Sequence, residues 1–392
     1  MRAAAGASRR TFLGGLAAAV PMLAAAGTGR GADNESDALD IPGLITRQKG
    51  PDNLEFPFSN LKSFITPTEQ FFVRSHFEVP TVTADDWTLT VEGHVERPLT
   101  LRYDELRSQP ATKRTALLEC AGNGRVFLKG LQPGLRWELG GVSNAEWTGI
   151  PLATLLQRAG VKPGAVDVVL EGADTGEVRP PNPATPGVIS YSRSLPLAKA
   201  NSPEVLLAWQ MNGEDLTVPH GFPVRAVVAG WYGMASVKWL KRIVVLDRPY
   251  DGYYQTFNYT IWQRPQGLPT LTPVTELDVK SQIARPAGFE VVPRNSEYRV
   301  HGAAWAGDAE ITNVEFSTDD GRTWTNAALV GEHVPYAWRF WEHAWRTPEQ
   351  PGSTVLMSRA TDSRGRTQAM ERDADRRDAM ISHVLPVAVE IR

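Results

Sequence analysis

Cys120 is the single cysteine of this chain, and it opens the run Cys120-Ala121-Gly122-Asn123-Gly124-Arg125. The apolar residues 116–118 just before it read as the end of a buried strand, and the two glycines permit a tight turn that β-branched residues would resist. A thiol so placed faces a cleft at a strand's end. Three roles are open to it: an inert small hydrophobe, a nucleophile or a metal ligand. Arg125, five positions on, and the exposed backbone N–H groups of the turn favour the thiolate and attract an anion. One thiolate is too few for a structural zinc site or an iron–sulfur cluster, and a lone cysteine forms no internal disulfide.

Four other stretches carry polar chemistry. Residues 71–80 alternate like a strand with Phe72, Arg74 and His76 on one face, a pattern that a solvated edge strand also gives. Asp174 sits beside glycines in 171–176, as a turn former or as an acceptor at a site. In 218–242, His220, Arg225, Ser236 and Lys238 flank a glycine-bearing loop and supply the cations, hydroxyl and amides that hold a phosphate. The spacing is not that of a P-loop, and a surface loop with scattered basic residues reads the same way. Tyr253, Tyr254 and Tyr259 either donate a phenolic hydrogen bond into a cleft or simply pack.

The elements that must position these residues follow from pattern. Strands are expected over 87–95, 166–170 and 226–229, and helices over 103–107 and 152–159, the second stopping at Gly160. The proline-rich 177–188 forms a loop over the cleft. A Pro-, Thr- and Leu-rich stretch from residue 267 marks a boundary. Beyond it, short strands at 290–292, 298–305, 311–317, 324–329, 336–345, 355–362 and 388–391 suggest an immunoglobulin-like sandwich. Trp338, Trp341 and Trp345 are too many for one face, so a partner or second subunit is expected to cover some of them.

At 392 residues the chain exceeds one ordinary core, and 29 Pro with 34 Gly indicate a loop-rich, largely β protein. A net charge of -3 with 22% charged residues gives no sign of a nucleic-acid or polybasic membrane partner. Residues 1–26 carry Arg2, Arg9 and Arg10 ahead of an apolar run, the pattern of a targeting segment. Ser8-Arg9-Arg10-Thr11-Phe12-Leu13 resembles a twin-arginine export signal, which implies a periplasmic or otherwise exported protein that crosses the membrane folded. No run reaches the ~18 apolar residues of a membrane span, so none is expected in the mature chain. Residues 27–60 read as an extended lead-in.

Taken in order, these blocks resemble the sulfite oxidase family of molybdopterin (molybdenum cofactor) enzymes, in its bacterial exported sulfite dehydrogenase-like branch. The likeness runs from about residue 71 to the C-terminus. It implies an α+β protein: a mixed α/β molybdopterin-binding catalytic domain at 61–266, then an immunoglobulin-like β-sandwich dimerisation domain at 267–392. It makes Cys120 the molybdenum ligand. It assigns the cofactor to Phe72, Val73, Arg74, Ser75, His76, Asp174, His220, Arg225, Ser236, Val237 and Lys238, and an anion pocket to Arg74, Arg125, Trp137 and Tyr259.

The implied activity is oxidation of sulfite to sulfate by oxo transfer, with electrons passed to a c-type cytochrome by a homodimer. The chain has no Cys-x-x-Cys-His motif, so no haem is expected in it. Competing readings are a molybdopterin-dependent reductase of sulfoxides or another oxyanion, and a cofactor-free binding protein. A copper site from Cys120, His76 and His220 is disfavoured by the adjacent Arg74 and Arg125. Departures from the family pattern bear on the substrate: Gly124 replaces a second arginine, Ser75 an asparagine and Pro133 a lysine, and Arg339 and Arg346 are the candidates for a pocket arginine from the C-terminal domain.

Overall fold

The run before Cys120 is a strand, Thr112–Glu119, whose last four residues are all buried. It pairs antiparallel with Val142–Pro151, which pairs with Val205–Met211, and the latter also carries Glu214–Asp215 and Arg225–Val228. Its outer edge is met by the C-terminal region, where Leu117 N donates to Tyr336 O at 2.9 Å. These facts come from a computed structural model that describes residues 43–130, 132–180 and 182–392. The segment expected to be an export signal and the first part of the expected lead-in lie outside the described residues.

A second five-stranded sheet runs in the order Leu99–Arg102, Thr88–Gly93, Leu240–Leu246, Asp167–Gly176, Ile189–Pro196. Its pair Thr88–Gly93 with Leu240–Leu246 is parallel. The helix Leu152–Ala159 buries Leu152, Leu155, Leu156 and Ala159, the spacing of one helical face, and ends at Gly160 with φ 69°. The short helix Tyr103–Arg107 also forms as its sequence predicts.

The C-terminal region is a sandwich of two sheets. One runs Lys280–Arg285, Glu297–Trp305, Arg339–Arg346, Ala328–Val330; the other runs Val291–Val292, Val387–Ile391, Gly352–Asp362, Ile311–Ser317, Thr325–Asn326. Its core holds Val300, Phe316, Trp341 and Leu356. Among the described residues, no helix is long and apolar enough to cross a membrane.

Four expectations are corrected. Residues 71–80 are not a strand: only Val73 makes a bridge, to Leu54, and the rest is irregular. The later part of the lead-in is ordered, with Ile45–Gln48 paired to Asn53–Glu55 and with Asn53, Glu55, Phe56 and Phe58 buried. Asp174 lies within a strand, at a register break, and not in a turn. The tryptophans need no partner: Trp341 and Trp345 are buried in the sandwich, and Trp338 is buried against Phe58 while its Nε1 donates to Phe64 O at 2.9 Å. A strand that the pattern did not reveal, Lys280–Arg285, is buried along its whole length.

Candidate active site

Cys120 ends the strand Thr112–Glu119 and is held there by its N–H, which donates to Gly141 O at 2.8 Å. Its side chain, 8% exposed, lines a cleft of about 650 Å³ that includes open space at its mouth. The loop beyond residue 120 needs its glycines for different reasons. Gly124 has φ 96°, and a Cβ on Gly122 would lie 2.5 Å from the Arg125 guanidinium.

The irregular 71–76 segment forms one wall. Because it is not pleated, Phe72, Val73, Arg74, Ser75 and His76 all face the cleft, where a strand would have turned alternate residues away. Asn53 pins this segment, its Oδ1 accepting from Ser75 N at 2.9 Å and from Arg74 at 3.2 Å.

The opposite wall is built by the turn Val218–His220, the strand Arg225–Val228 and the segment 236–239. Gly221, at φ 105°, lets the chain reverse there: a Cβ would meet the Cβ atoms of Arg225 and Lys238 at 3.1 Å. Arg225 donates to His220 O at 3.0 Å and Ser236 O at 3.1 Å, and the Ser236 hydroxyl accepts from Val228 N at 3.0 Å. Lys238 donates to Ser75 Oγ at 2.9 Å and Pro219 O at 2.8 Å.

The cations of this cleft spend their hydrogen bonds on neutral acceptors, and the charge imbalance shows in neighbouring groups. Burial, then Arg225 and Lys238, pulls His220 down to about 3. Burial, then Arg74, Lys238 and Arg193, holds His76 well below its ordinary range, so the ring is neutral. Burial lowers Lys238, with Arg225 and Arg74 adding to it and Asp174 opposing, and burial alone lowers Arg225 to about 9. Asp174 is raised to about 6 by burial, and its Oδ1, buried, has no hydrogen-bond partner. An anion bearing its own donors would relieve both the surplus positive charge and the orphaned carboxylate oxygen.

Tyr259 follows a π-helical turn, Tyr254–Asn258, and its hydroxyl lies 2.6 Å from His76 Nε2. His76 is also stacked on Tyr191, with ring centroids 4.3 Å apart.

The structure thus gathers Cys120, Phe72 to His76, Asp174, His220, Arg225, Ser236, Lys238 and Tyr259 at one cleft. Three of the expected residues do not line it. Trp137 is fully buried behind Phe72, ring centroids 6.2 Å apart. Val237 is buried, its carbonyl accepting from Ala226 N at 2.8 Å. Arg125 is outside the lining and donates to Leu135 O at 2.7 Å and Asp378 O at 3.1 Å, but its charge still reaches Tyr259.

Arg339 and Arg346 pair with Glu310 and Asn295. The C-terminal arginine that reaches the Tyr259 segment is Arg377, which donates to Phe257 O at 3.3 Å and to the Thr260 hydroxyl. Among the described residues no group of three or more His, Cys, Asp and Glu side chains converges, so Cys120, His76 and His220 do not meet as a copper ligand set. Sequence reasoning missed Tyr191, Met234 and Trp239 in the lining, and Asn53 behind it. Alternation in Ile189–Pro196 was a usable signal for Tyr191; Asn53 had none, standing in a stretch without pattern.

Residues 76–254 match the oxidoreductase molybdopterin binding domain, and residues 272–379 match the Mo-co oxidoreductase dimerisation domain. Sulfite oxidase of Gallus gallus is 37% identical over 342 residues, which cover 82% of this chain and 72% of that protein. The chain belongs to the sulfite oxidase family. It is a molybdopterin oxidoreductase with that family's α+β catalytic fold and C-terminal sandwich. Other relatives include the mitochondrial sulfite oxidase of Drosophila melanogaster, 34% identical over 82% of this chain, and the NADH nitrate reductase 2 of Arabidopsis thaliana, 32% identical over 82%. The matches span 58% and 38% of those two longer proteins. Among solved structures, the sulfane dehydrogenase SoxCD from Paracoccus pantotrophus aligns over 92% of each chain with a TM-score of 0.75 and 28% identity. Sulfite oxidase relatives and a nitrate reductase therefore share one frame with this chain, and substrate choice rests on the pocket.

Proposed function

We propose that this protein is an exported sulfite dehydrogenase: a homodimer that oxidises sulfite to sulfate at a Cys120-ligated molybdopterin and passes the electrons to a separate c-type cytochrome. The observation that carries the reading is the cleft itself, with its thiol at the end of a strand, a buried Arg225, and half-buried Arg74 and Lys238, all bonded to neutral groups. The donor set fits the cofactor. His220, Arg225, Ser236 and Lys238 would hold its phosphate, Asp174 Oδ1 would accept from a ring N–H of the pterin, and Cys120 would supply the soft thiolate ligand.

Bound there, the molybdenum supplies the oxo transfer and the two-electron redox step. The chain's own part is to bind and orient. Arg74 brings a guanidinium fork to the cleft, geometry that matches the oxygens of sulfite. Tyr259 keeps its phenolic proton, because burial raises its pKa, and so can donate to an oxyanion. His76, neutral and half-buried, fixes that hydroxyl at 2.6 Å without adding a charge.

The nitrate reductase relatives favour a second reading, an oxyanion reductase on the same frame. Steady-state turnover separates the two. Sulfite with cytochrome c should be the fast couple, whereas turnover confined to nitrate or a sulfoxide with a reduced dye would overturn the proposal. Export is supported by the paired arginines at 9 and 10. Replacing both by lysine should leave the protein in the cytoplasmic fraction, and normal export of that variant would remove the twin-arginine route.

A further inference from the structure

Behind the Cys120 loop, on the side away from the cleft, a charged cluster is sealed between the catalytic sheet and the sandwich. Lys280 Nζ lies 2.8 Å from Glu119 Oε1, with side-chain exposures of 1% and 2%. The same ammonium donates to Asn123 O at 3.3 Å. Trp305 Nε1 donates to Glu119 Oε2 at 2.9 Å, and Asn123 Nδ2 donates to Glu119 Oε1 at 3.0 Å and to Gln282 Oε1 at 3.1 Å. Asn123 Oδ1 in turn accepts from Gly141 N at 3.0 Å, on the residue whose carbonyl holds the N–H of Cys120. Lys280, Gln282 and Trp305 all come from the C-terminal sandwich; Glu119 and Asn123 bracket the cysteine.

Stability alone is a poor account of such a pair. Taking both charges out of water is costly, and an apolar pair of similar volume is often as stable or more so. A satisfied buried network does specify one arrangement of the groups that it joins. This one joins the residue before Cys120 to the residue three after it, so it fixes both ends of the loop that aims the thiol.

We propose that Lys280 is a positioning residue for the Cys120 thiolate, acting through Glu119 and Asn123, so that the sandwich supports the redox centre as well as any subunit contact. The proposal rests on Cys120 being the molybdenum ligand. Its test has one arm that needs no metal. Cys120 is the only cysteine in the chain, so a thiol-labelling reagent reports on this loop alone. In cofactor-free protein, Lys280→Met should label about tenfold faster than wild type, the scale of effect seen when a ligand's outer support is removed.

In the loaded enzyme the same variant should keep its molybdenum while its thiolate-to-molybdenum absorption and Mo(V) resonance shift. There kcat should fall about tenfold and KM stay within about twofold. The double variant Glu119→Gln with Lys280→Met removes both buried charges; it should regain thermal stability yet still label fast. Arg299→Met, which breaks an exposed pair on the same sandwich, should change none of these readouts.

Wild-type labelling and spectra in Lys280→Met would overturn the proposal, as would a double variant whose labelling rate returns to normal along with its stability. If Lys280→Met does not fold, the double variant decides. Wild type that takes up no molybdenum would remove the sulfite dehydrogenase reading instead, and the labelling arm would still show whether Lys280 holds the loop.

Discussion

Asp174 carries the clearest pH signature of any single residue in the cleft. Its carboxyl, 3% exposed and with Oδ1 unpaired, has a folded pKa of about 6 against an ordinary 3.8. A carboxyl raised on folding binds more protons in the folded state, so its share of stability is present below about pH 4 and is lost as pH rises through about 6. In cofactor-free protein, Asp174→Asn should therefore raise the melting temperature at pH 8, with a gain of about 3 kcal/mol in stability, and change little at pH 4. Melting curves at both pH values check this; an equal effect at both would remove the buried charge as the cause.

Sequence made the residue types at this scale legible but not their environments. Asp174 beside glycines reads equally as a turn former, and nothing local reveals that a strand buries it. Arg125 reads as an anion-pocket residue, yet its guanidinium packs on Gly122 and bonds to Leu135 and Asp378 carbonyls, partners ten and 253 positions away.

Among elements, the turn at Gly221 sets the spacing of the cationic wall. At its φ of 105° a side chain is strained, and a Cβ would crowd both Arg225 and Lys238 at 3.1 Å. Gly221→Ala should cost about 1–2 kcal/mol in backbone strain and splay the two cations. Pterin retained after dialysis should drop roughly tenfold if that strain is taken from binding; full retention would show that the turn is not part of the cradle. Elements with a clean period were legible, as with Leu152–Ala159 and its Gly160 stop.

Two elements were not, for opposite reasons. Residues 71–80 alternate in polarity yet do not pleat: Asn53 holds the segment, and residues 71–76 in succession line the cleft. Lys280–Arg285 is a fully buried strand with no alternation, because its lysine, serine and glutamine side chains are satisfied by Glu119, Ser358 and Asn123 from distant segments.

For the whole molecule, the sandwich and the catalytic sheets meet at the Cys120 loop from two sides. Strand Lys280–Arg285 reaches it through Lys280, and the 378–381 segment through Met380 N, which donates to Ala121 O at 2.7 Å. The order of blocks along the chain made this architecture legible, because five segments too weak to interpret singly converge on one cleft. What sequence left open is the substrate, since Gly124 is packed by Ile381 and not replaced by a cation. The central claim is that this cleft holds one molybdopterin that takes two electrons from sulfite. Elemental analysis joined to an anaerobic sulfite titration, followed by absorbance, tests it most directly. Close to one molybdenum per chain is expected, with the absorbance change complete at about one sulfite per molybdenum. Protein that carries molybdenum but is not reduced by sulfite, or that carries none, would contradict it.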